Sequence, residues 1–152
     1  MEHKELAMQL FHKGYNCAQS VFCAFCDVTG FDLGNAARLA SSFGGGMGRM
    51  REVCGAVSGA LMVLGYLRGY SDPEDQEAKA AQYAKVQEFA RRFREQNGSI
   101  ICRELLANVE TAPGSAPEVR TNAYYHARPC EGFVADAAML LDQFLAESAP
   151  SV

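Results

Sequence analysis

Hydrophobic residues recur every three to four positions along most of the chain, which is the spacing of one face of an α-helix. Near the C-terminal end, for example, Phe133, Ala137 and Leu140 follow this period. The pattern predicts helices at residues 4–12, 17–28, 32–43, 54–67, 73–96, 99–106 and 129–145. No segment alternates between apolar and polar residues as a half-buried strand would.

Residues that favour helix ends divide these segments. Asn16 and Asp32 are suitable N-caps for the second and third helices, and Asp72 followed by Pro73 is a favoured order for starting the longest one. Residues 108–128 have no strong period and contain several proline, glycine and serine residues, so we predict a loop there.

The segment at residues 54–67 carries no charge, so it predicts a helix buried on most of its surface. Gly55 and Gly59 are four residues apart, as are Ala56 and Ala60, and such small residues let a neighbouring helix approach closely. The chain is therefore expected to be all-α: a single-domain bundle of about six helices over residues 1–152, with this glycine- and alanine-rich helix at its centre.

Composition narrows the function. The chain has 152 residues, 49% of them hydrophobic and 21% charged, which is typical of a globular protein. Its net charge of −4 argues against nucleic acid as a partner. The longest uncharged run, at residues 53–67, is shorter than the roughly 20 residues of a membrane span. Because the N-terminus is polar, we expect no signal peptide, no membrane association and a cytoplasmic protein.

The six cysteines fall into two groups. In a reducing compartment they are expected to be free thiols rather than structural disulfides. Cys23 and Cys26 lie in mid-helix and are predicted to pack in the core. The other four lie in predicted first turns of helices, where the helix dipole stabilises a thiolate or a bound anion; they are Cys17, Cys54, Cys102 and Cys130.

Four thiols from four helix starts predict one shared site. Such a site suits an iron–sulfur cluster, which takes four cysteine ligands, or another metal such as zinc. In the alternative of metal-free thiol–disulfide exchange, two of these four cysteines form the reactive pair. Inert burial of the thiols remains the third interpretation.

Two further features lie near the cysteines in sequence. The glycine-rich stretch Gly44, Gly45 and Gly46 predicts a turn whose amides form an anion-binding nest, to which Arg49 or Arg51 adds charge. The stretch lacks the strand and the GK[ST] ending of a nucleotide-binding P-loop. His126, four residues before Cys130, is a candidate ligand or proton donor.

The cysteine segments also resemble the C_GCAxxG_C_C family of putative redox-active proteins. The similar stretches are residues 14–21, 43–49 leading to 54–60, 102–106 and 130–134, and they span nearly the whole chain. The family name places glycine before cysteine, whereas here the order is Cys54-Gly55-Ala56. The resemblance implies a small helical protein that is redox-linked or binds a metal. A similar domain occurs beside haem domains in some bacterial cytochromes, and this implies electron transfer.

These observations lead to one hypothesis and two alternatives. The leading hypothesis is a redox protein in which the four cysteines bind an iron–sulfur cluster or another metal centre and transfer electrons to a partner protein. The alternatives are a metal-free thiol–disulfide oxidoreductase and a helical scaffold with inert thiols. A homodimer is left open.

Overall fold

The structure is a computed structural model that describes residues 1–147. Its chain forms nine helices separated by short connections and by one longer loop. In chain order they are α1 His3–His12, α2 Cys17–Ala24, α3 Cys26–Thr29, α4 Leu33–Ala40, α5 Gly55–Arg68, α6 Gln76–Asn97, α7 Cys102–Leu105, α8 Asn122–Ala127 and α9 Cys130–Glu147. Two turns follow α4 on the way to α5: a 3₁₀ turn, Ser41–Phe43, and a glycine turn, Gly44–Met47.

The all-α prediction is confirmed. Within residues 1–147 the extended pairing amounts to a single antiparallel bridge between Val53 and Ile101. None of the helices in this range is long and apolar enough to cross a membrane.

Helix α5 lies at the centre of the bundle, as its lack of charge predicts. It packs against α2, α9 and α6, while α1 packs against α2 and α9. The close approach of α2 depends on Gly59, because a Cβ atom there would lie 2.6 Å from the carbonyl oxygen of Ala18. The small residues spaced four apart in α5 therefore set the distance between the two central helices.

Several predicted boundaries are wrong. The second helix is interrupted at Phe25, whose φ of −105° and ψ of 17° separate α2 from α3. The longest helix begins at Gln76 with Asp75 as its N-cap, because the side chain of Asp75 accepts the amide of Ala78 at 3.0 Å. Asp72 instead accepts the amide of Glu74 and closes a turn before the helix.

The region predicted as a loop contains a short helix. Thr121 caps α8 by accepting the amide of Tyr124 at 3.2 Å, so only the part before residue 121 is irregular. Ser99 does not cap a helix. Its hydroxyl accepts the amide of Ile101 at 2.9 Å and leaves α7 to begin at Cys102.

His3 ties the N-terminal helix to two other elements. Its Nδ1 lies 2.8 Å from a carboxylate oxygen of Asp142 and its Nε2 lies 2.9 Å from Asp27. Burial lowers the pKa of His3, but the hydrogen bonds and charges of the two aspartates outweigh it, so the pKa is raised above its ordinary value. The folded state therefore favours the protonated imidazole.

This arrangement predicts a pH-dependent contribution to stability. It is fully present below the ordinary histidine pKa of about 6.5 and is lost as the pH rises through the raised value in the folded protein. His3→Gln is therefore expected to lower the free energy of unfolding by up to about 1 kcal/mol at pH 6, and by less at pH 8. Urea denaturation at both pH values measures the difference, with His126→Gln as the control. An equal loss at both pH values would contradict it.

Candidate redox site

Four cysteines that are far apart in sequence line one small cavity. Cys54, Cys102 and Cys130 are buried and Cys17 is half-buried, and all are free thiols. The cavity has a volume of about 60 Å³. Each cysteine lies at a helix start: Cys17, Cys102 and Cys130 are the first residues of α2, α7 and α9, and Cys54 occupies the N-cap of α5.

The start of α2 is fixed by a reciprocal cap. The side chain of Asn16 accepts the amide of Gln19 at 2.8 Å, while the side chain of Gln19 accepts the amide of Asn16 at 3.0 Å. This capping box satisfies two amides that would otherwise lack helical partners. It therefore defines where the helix begins and holds Cys17 at the cavity.

Backbone hydrogen bonds bring Cys54 and Cys102 to the same wall. The amide of Cys54 donates to the carbonyl of Ile100 at 2.7 Å, and the amide of Cys102 donates to the carbonyl of Glu52 at 2.6 Å. These bonds flank the bridge between Val53 and Ile101. The two cysteines are thus placed together by a short piece of paired backbone.

The glycine turn closes the cavity from another side. Gly46 has a φ of +70°, and a Cβ atom there would lie 2.7 Å from the Cβ of Cys102 and 2.8 Å from the amide nitrogen of Glu52. Gly55 is similarly confined, because its Cβ would lie 2.9 Å from the carbonyl oxygen of Phe43. Both positions need glycine, because backbone atoms or a cysteine side chain already fill the space that a Cβ atom would need.

The turn uses part of its hydrogen-bonding capacity internally. The amides of Arg51 and Glu52 donate to the carbonyls of Gly45 and Gly46 at 3.1 and 2.9 Å. Gly45 and Gly46 line the thiol cavity, and Gly44 lies against the side chain of Asn16. These bonds occupy the carbonyls of Gly45 and Gly46 and not their amides, so the anion-binding nest stays a prediction.

Three arginines share the cavity with the thiols, and the sequence analysis did not predict two of them. Arg51 extends a guanidinium nitrogen to 3.8 Å from the sulfur of Cys102. Arg128 is buried, pairs with Glu118 and donates a hydrogen bond to the sulfur of Cys130. Arg120 also lines the cavity.

The electrostatics distinguish one thiol from the others. Cys130 is hydrogen-bonded to Cys17 and lies beside the positive charges of Arg128 and Arg51, and these contacts outweigh burial and lower its pKa to about 7. Its position at the start of α9 adds the favourable end of a helix dipole. The same hydrogen bond, together with burial, raises the pKa of Cys17 well above its ordinary value.

The remaining two thiols are held neutral. Burial raises the pKa of Cys54 to about 12, although its sulfur accepts hydrogen bonds from the amides of Ala56 and Val57. Burial also raises the pKa of Cys102, against the opposing effect of Arg51. The site therefore combines one thiolate near neutral pH with three thiols.

Two predicted site residues lie away from this cavity. His126 is exposed on α8 and is not among the residues that line it. Arg49 instead binds loop carbonyls, among them those of Ala112 and Gly114 at 2.9 Å each. It holds the irregular loop against the glycine turn.

Cys23 and Cys26 do not line the cavity, although the predicted mid-helix position is wrong for Cys26, which is the first residue of α3 because the helix is interrupted at Phe25. Cys23 is 3% exposed in the hydrophobic core. Burial raises its pKa to about 11, so it is an unreactive thiol near neutral pH. Cys26 is half-buried in α3, and its pKa is also raised by burial.

The cysteine geometry does not fit a single metal ion. Among residues 1–147, no group of three or more histidine, cysteine, aspartate or glutamate side chains is close enough to hold one. The donor set, four thiols on one cavity, is nevertheless the set that iron–sulfur clusters use. Within the described residues the four thiols therefore share a cavity without forming a site for one metal ion.

Comparison with known proteins identifies the family. Neither a curated protein nor a solved structure matches the chain. A family model with the description "Putative redox-active protein (C_GCAxxG_C_C)" matches residues 15–144, a range that includes all four cavity cysteines. Since the match covers most of the chain, the chain belongs to this C_GCAxxG_C_C family of putative redox-active proteins.

Proposed function

We propose that the protein is a thiol–disulfide redox protein in which Cys130 is the attacking thiolate and Cys17 is the resolving thiol. The observation that carries the proposal is that these two thiols line one cavity as the first residues of α2 and α9, where the Cys130 sulfur accepts from Cys17 and Arg128. A thiol in contact with a thiolate needs little movement to reach the disulfide S–S distance of about 2.05 Å. Cys54 and Cys102 surround the pair.

The proposed reaction has two steps. The Cys130 thiolate attacks one sulfur of a disulfide substrate, so that a Cys130–substrate disulfide forms and the other half leaves as a thiolate. Cys17 then gives its proton to that leaving thiolate and attacks the sulfur of Cys130, which releases the second half. The substrate disulfide is reduced to one thiol and one thiolate, which takes a proton from water, and the two cysteines are oxidised to one disulfide.

A return to the starting state requires a reductant. A dithiol on a partner protein can reduce the Cys17–Cys130 disulfide by the same exchange run in reverse. We therefore also propose a redox partner protein, and a reducing compartment such as the cytoplasm, where this cycle is sustained.

The pair is testable by disulfide mapping. After exposure to a graded series of oxidised and reduced dithiothreitol, acid quenching and mass spectrometry, we expect Cys17–Cys130 to be the first disulfide formed. The absorbance of thiolate at 240 nm should show one transition near pH 7, which Cys130→Ser removes and Cys23→Ser preserves. A first disulfide between other cysteines, or no transition below pH 8, contradicts the proposal.

An iron–sulfur cluster or another metal centre that transfers electrons is the second candidate function. It is favoured by the four cysteines that line one cavity. Anaerobic reconstitution followed by iron and sulfide analysis tests it. Stoichiometric iron with visible absorption, lost in Cys54→Ser and retained in Cys23→Ser, would favour the cluster. Colourless protein with intact thiols would leave the thiol–disulfide proposal as the better one.

A further inference from the structure

A second cavity continues the thiol cavity towards the surface. This outer cavity has a volume of about 380 Å³, and its walls include exposed residues such as Ser41, Ser115 and Pro117. Arg51, Arg120 and Arg128 line both spaces. A molecule in the outer cavity is thus adjacent to the cysteines.

The outer cavity is strongly positive. Four arginines line it, and Glu118 is the one acidic side chain among the described residues that do so. Glu118 is already used, because it pairs with Arg128 and lies 3.8 Å from Arg49. Arg120 donates to the backbone carbonyls of Phe11 and Tyr15, which carry no net charge to balance it.

Arg51 is the cation best placed to meet a ligand. Within residues 1–147 no carboxylate pairs with it, and its guanidinium lies beside the sulfur of Cys102. Its backbone has a φ of +61° and is held there by its amide, which donates to the carbonyl of Gly45 at 3.1 Å. Arg103 binds its carbonyl, also at 3.1 Å. A strained backbone that is fixed on both sides keeps the side chain at the cavity.

We infer that the outer cavity binds the substrate of the redox pair, and that this substrate is a small disulfide or thiol carrying carboxylate groups. The inference rests on the proposed function. Arginine binds carboxylates with directed, charge-assisted hydrogen bonds, and the cavity volume lies at the lower end of the range for small-molecule sites, about 300–1,000 Å³. The carboxylate is held by Arg51 and its neighbours while the sulfur faces Cys130.

Three disulfides of similar size provide the probes. 3,3′-Dithiodipropionate carries two carboxylates, cystamine carries two ammonium groups and 2-hydroxyethyl disulfide is neutral. Calorimetry uses the Cys17→Ser/Cys130→Ser protein, in which the proposed exchange cannot occur. We expect it to bind dithiodipropionate in preference to both other probes, with an affinity that falls as salt is added.

Variants assign the binding to the cavity. Arg51→Gln should weaken dithiodipropionate binding about tenfold, as expected for the loss of one charge-assisted hydrogen bond, and Arg51→Lys should restore part of it. Arg91→Gln removes the same charge from the exposed face of α6 and should leave affinity unchanged. Equal binding of cystamine, or an equal effect of Arg51→Gln and Arg91→Gln, overturns the inference.

The rates of the wild-type protein with the three probes provide a second measurement if the double variant does not fold. Exchange that is fast but insensitive to probe charge contradicts the inference and leaves the proposed function intact. Selective binding of dithiodipropionate without any Cys17–Cys130 disulfide supports the anion site and contradicts the proposed function.

Discussion

Gly46→Ala is expected to destabilise the protein by about 2–6 kcal/mol, because it combines backbone strain with overpacking, each of which costs about 1–3 kcal/mol. The φ of +70° at this position is unfavourable for alanine, and the new Cβ would lie 2.7 Å from the Cβ of Cys102 and 2.8 Å from the amide nitrogen of Glu52. Both neighbouring groups belong to the segments that the Val53–Ile101 bridge joins, so neither group can move without disturbing the bridge. Guanidinium denaturation monitored by circular dichroism measures the loss.

Gly30→Ala separates the two causes. Gly30 has a similar φ of +82°, but no atom lies within 4 Å of a Cβ placed there. It should therefore show the backbone cost alone, about 1–3 kcal/mol. Gly65→Ala, inside α5 and also without close neighbours, should be neutral or stabilising by up to about 1 kcal/mol. Similar losses for Gly46→Ala and Gly30→Ala would show that the turn is not confined by Cys102.

The helix starts could be predicted from sequence because their signals are local. Asn16 caps α2 with the residue three positions further along, and Asp32 does the same for α4. Gly55 and Gly59 likewise indicate close packing through their spacing alone. The four cavity cysteines occupy starts that could be predicted, whereas the start of α3 at Cys26 could not, because the interruption at Phe25 has no local signal of this kind.

The charged half of the site could not be predicted in this way. Arg120 and Arg128 come from the region assigned as a loop, and they reach the thiols only because that region folds back over α1. The hydrogen bond of Arg120 to the carbonyl of Phe11 joins residues 109 positions apart. No periodic pattern encodes such a contact.

The wrong start of α6 has a simpler cause, since Asp72 and Asp75 are both suitable caps.

These long-range arginines give the four cysteines different properties. Cys54 and Cys102 have raised pKa values because burial dominates. Cys130 alone combines a thiol donor, a buried guanidinium and a helix start. The sequence pattern treats the four positions as equivalent, whereas the fold lowers the pKa of one of them. This asymmetry favours sequential thiol chemistry over four equal ligands.

Cys17→Ser is expected to trap a reaction intermediate that Cys130→Ser does not form. With Cys17 replaced, the serine hydroxyl can still donate to the Cys130 sulfur, so Cys130 should attack 2-hydroxyethyl disulfide and remain as a mixed disulfide. Cys130→Ser leaves Cys17, whose pKa should stay above neutral because desolvation of its sulfur also raises it. Its reaction at pH 7 should be at least about tenfold slower than that of the wild type, since the loss of thiolate outweighs the gain in intrinsic nucleophilicity.

Intact-protein mass spectrometry after timed acid quenching follows both variants. The wild type should pass through the adduct and end as the Cys17–Cys130 disulfide, two hydrogens lighter than the reduced protein, whereas Cys17→Ser should accumulate one adduct on Cys130. Cys23→Ser is the matched control and should behave as the wild type, because Cys23 is buried in the core away from the cavity. A stable adduct on Cys17 in the wild type, or equal reaction rates for Cys17→Ser and Cys130→Ser, would reverse or remove the assigned roles. The trapping pattern depends on the order of attack, so it distinguishes a nucleophile and its resolving partner from two thiols that are merely close together.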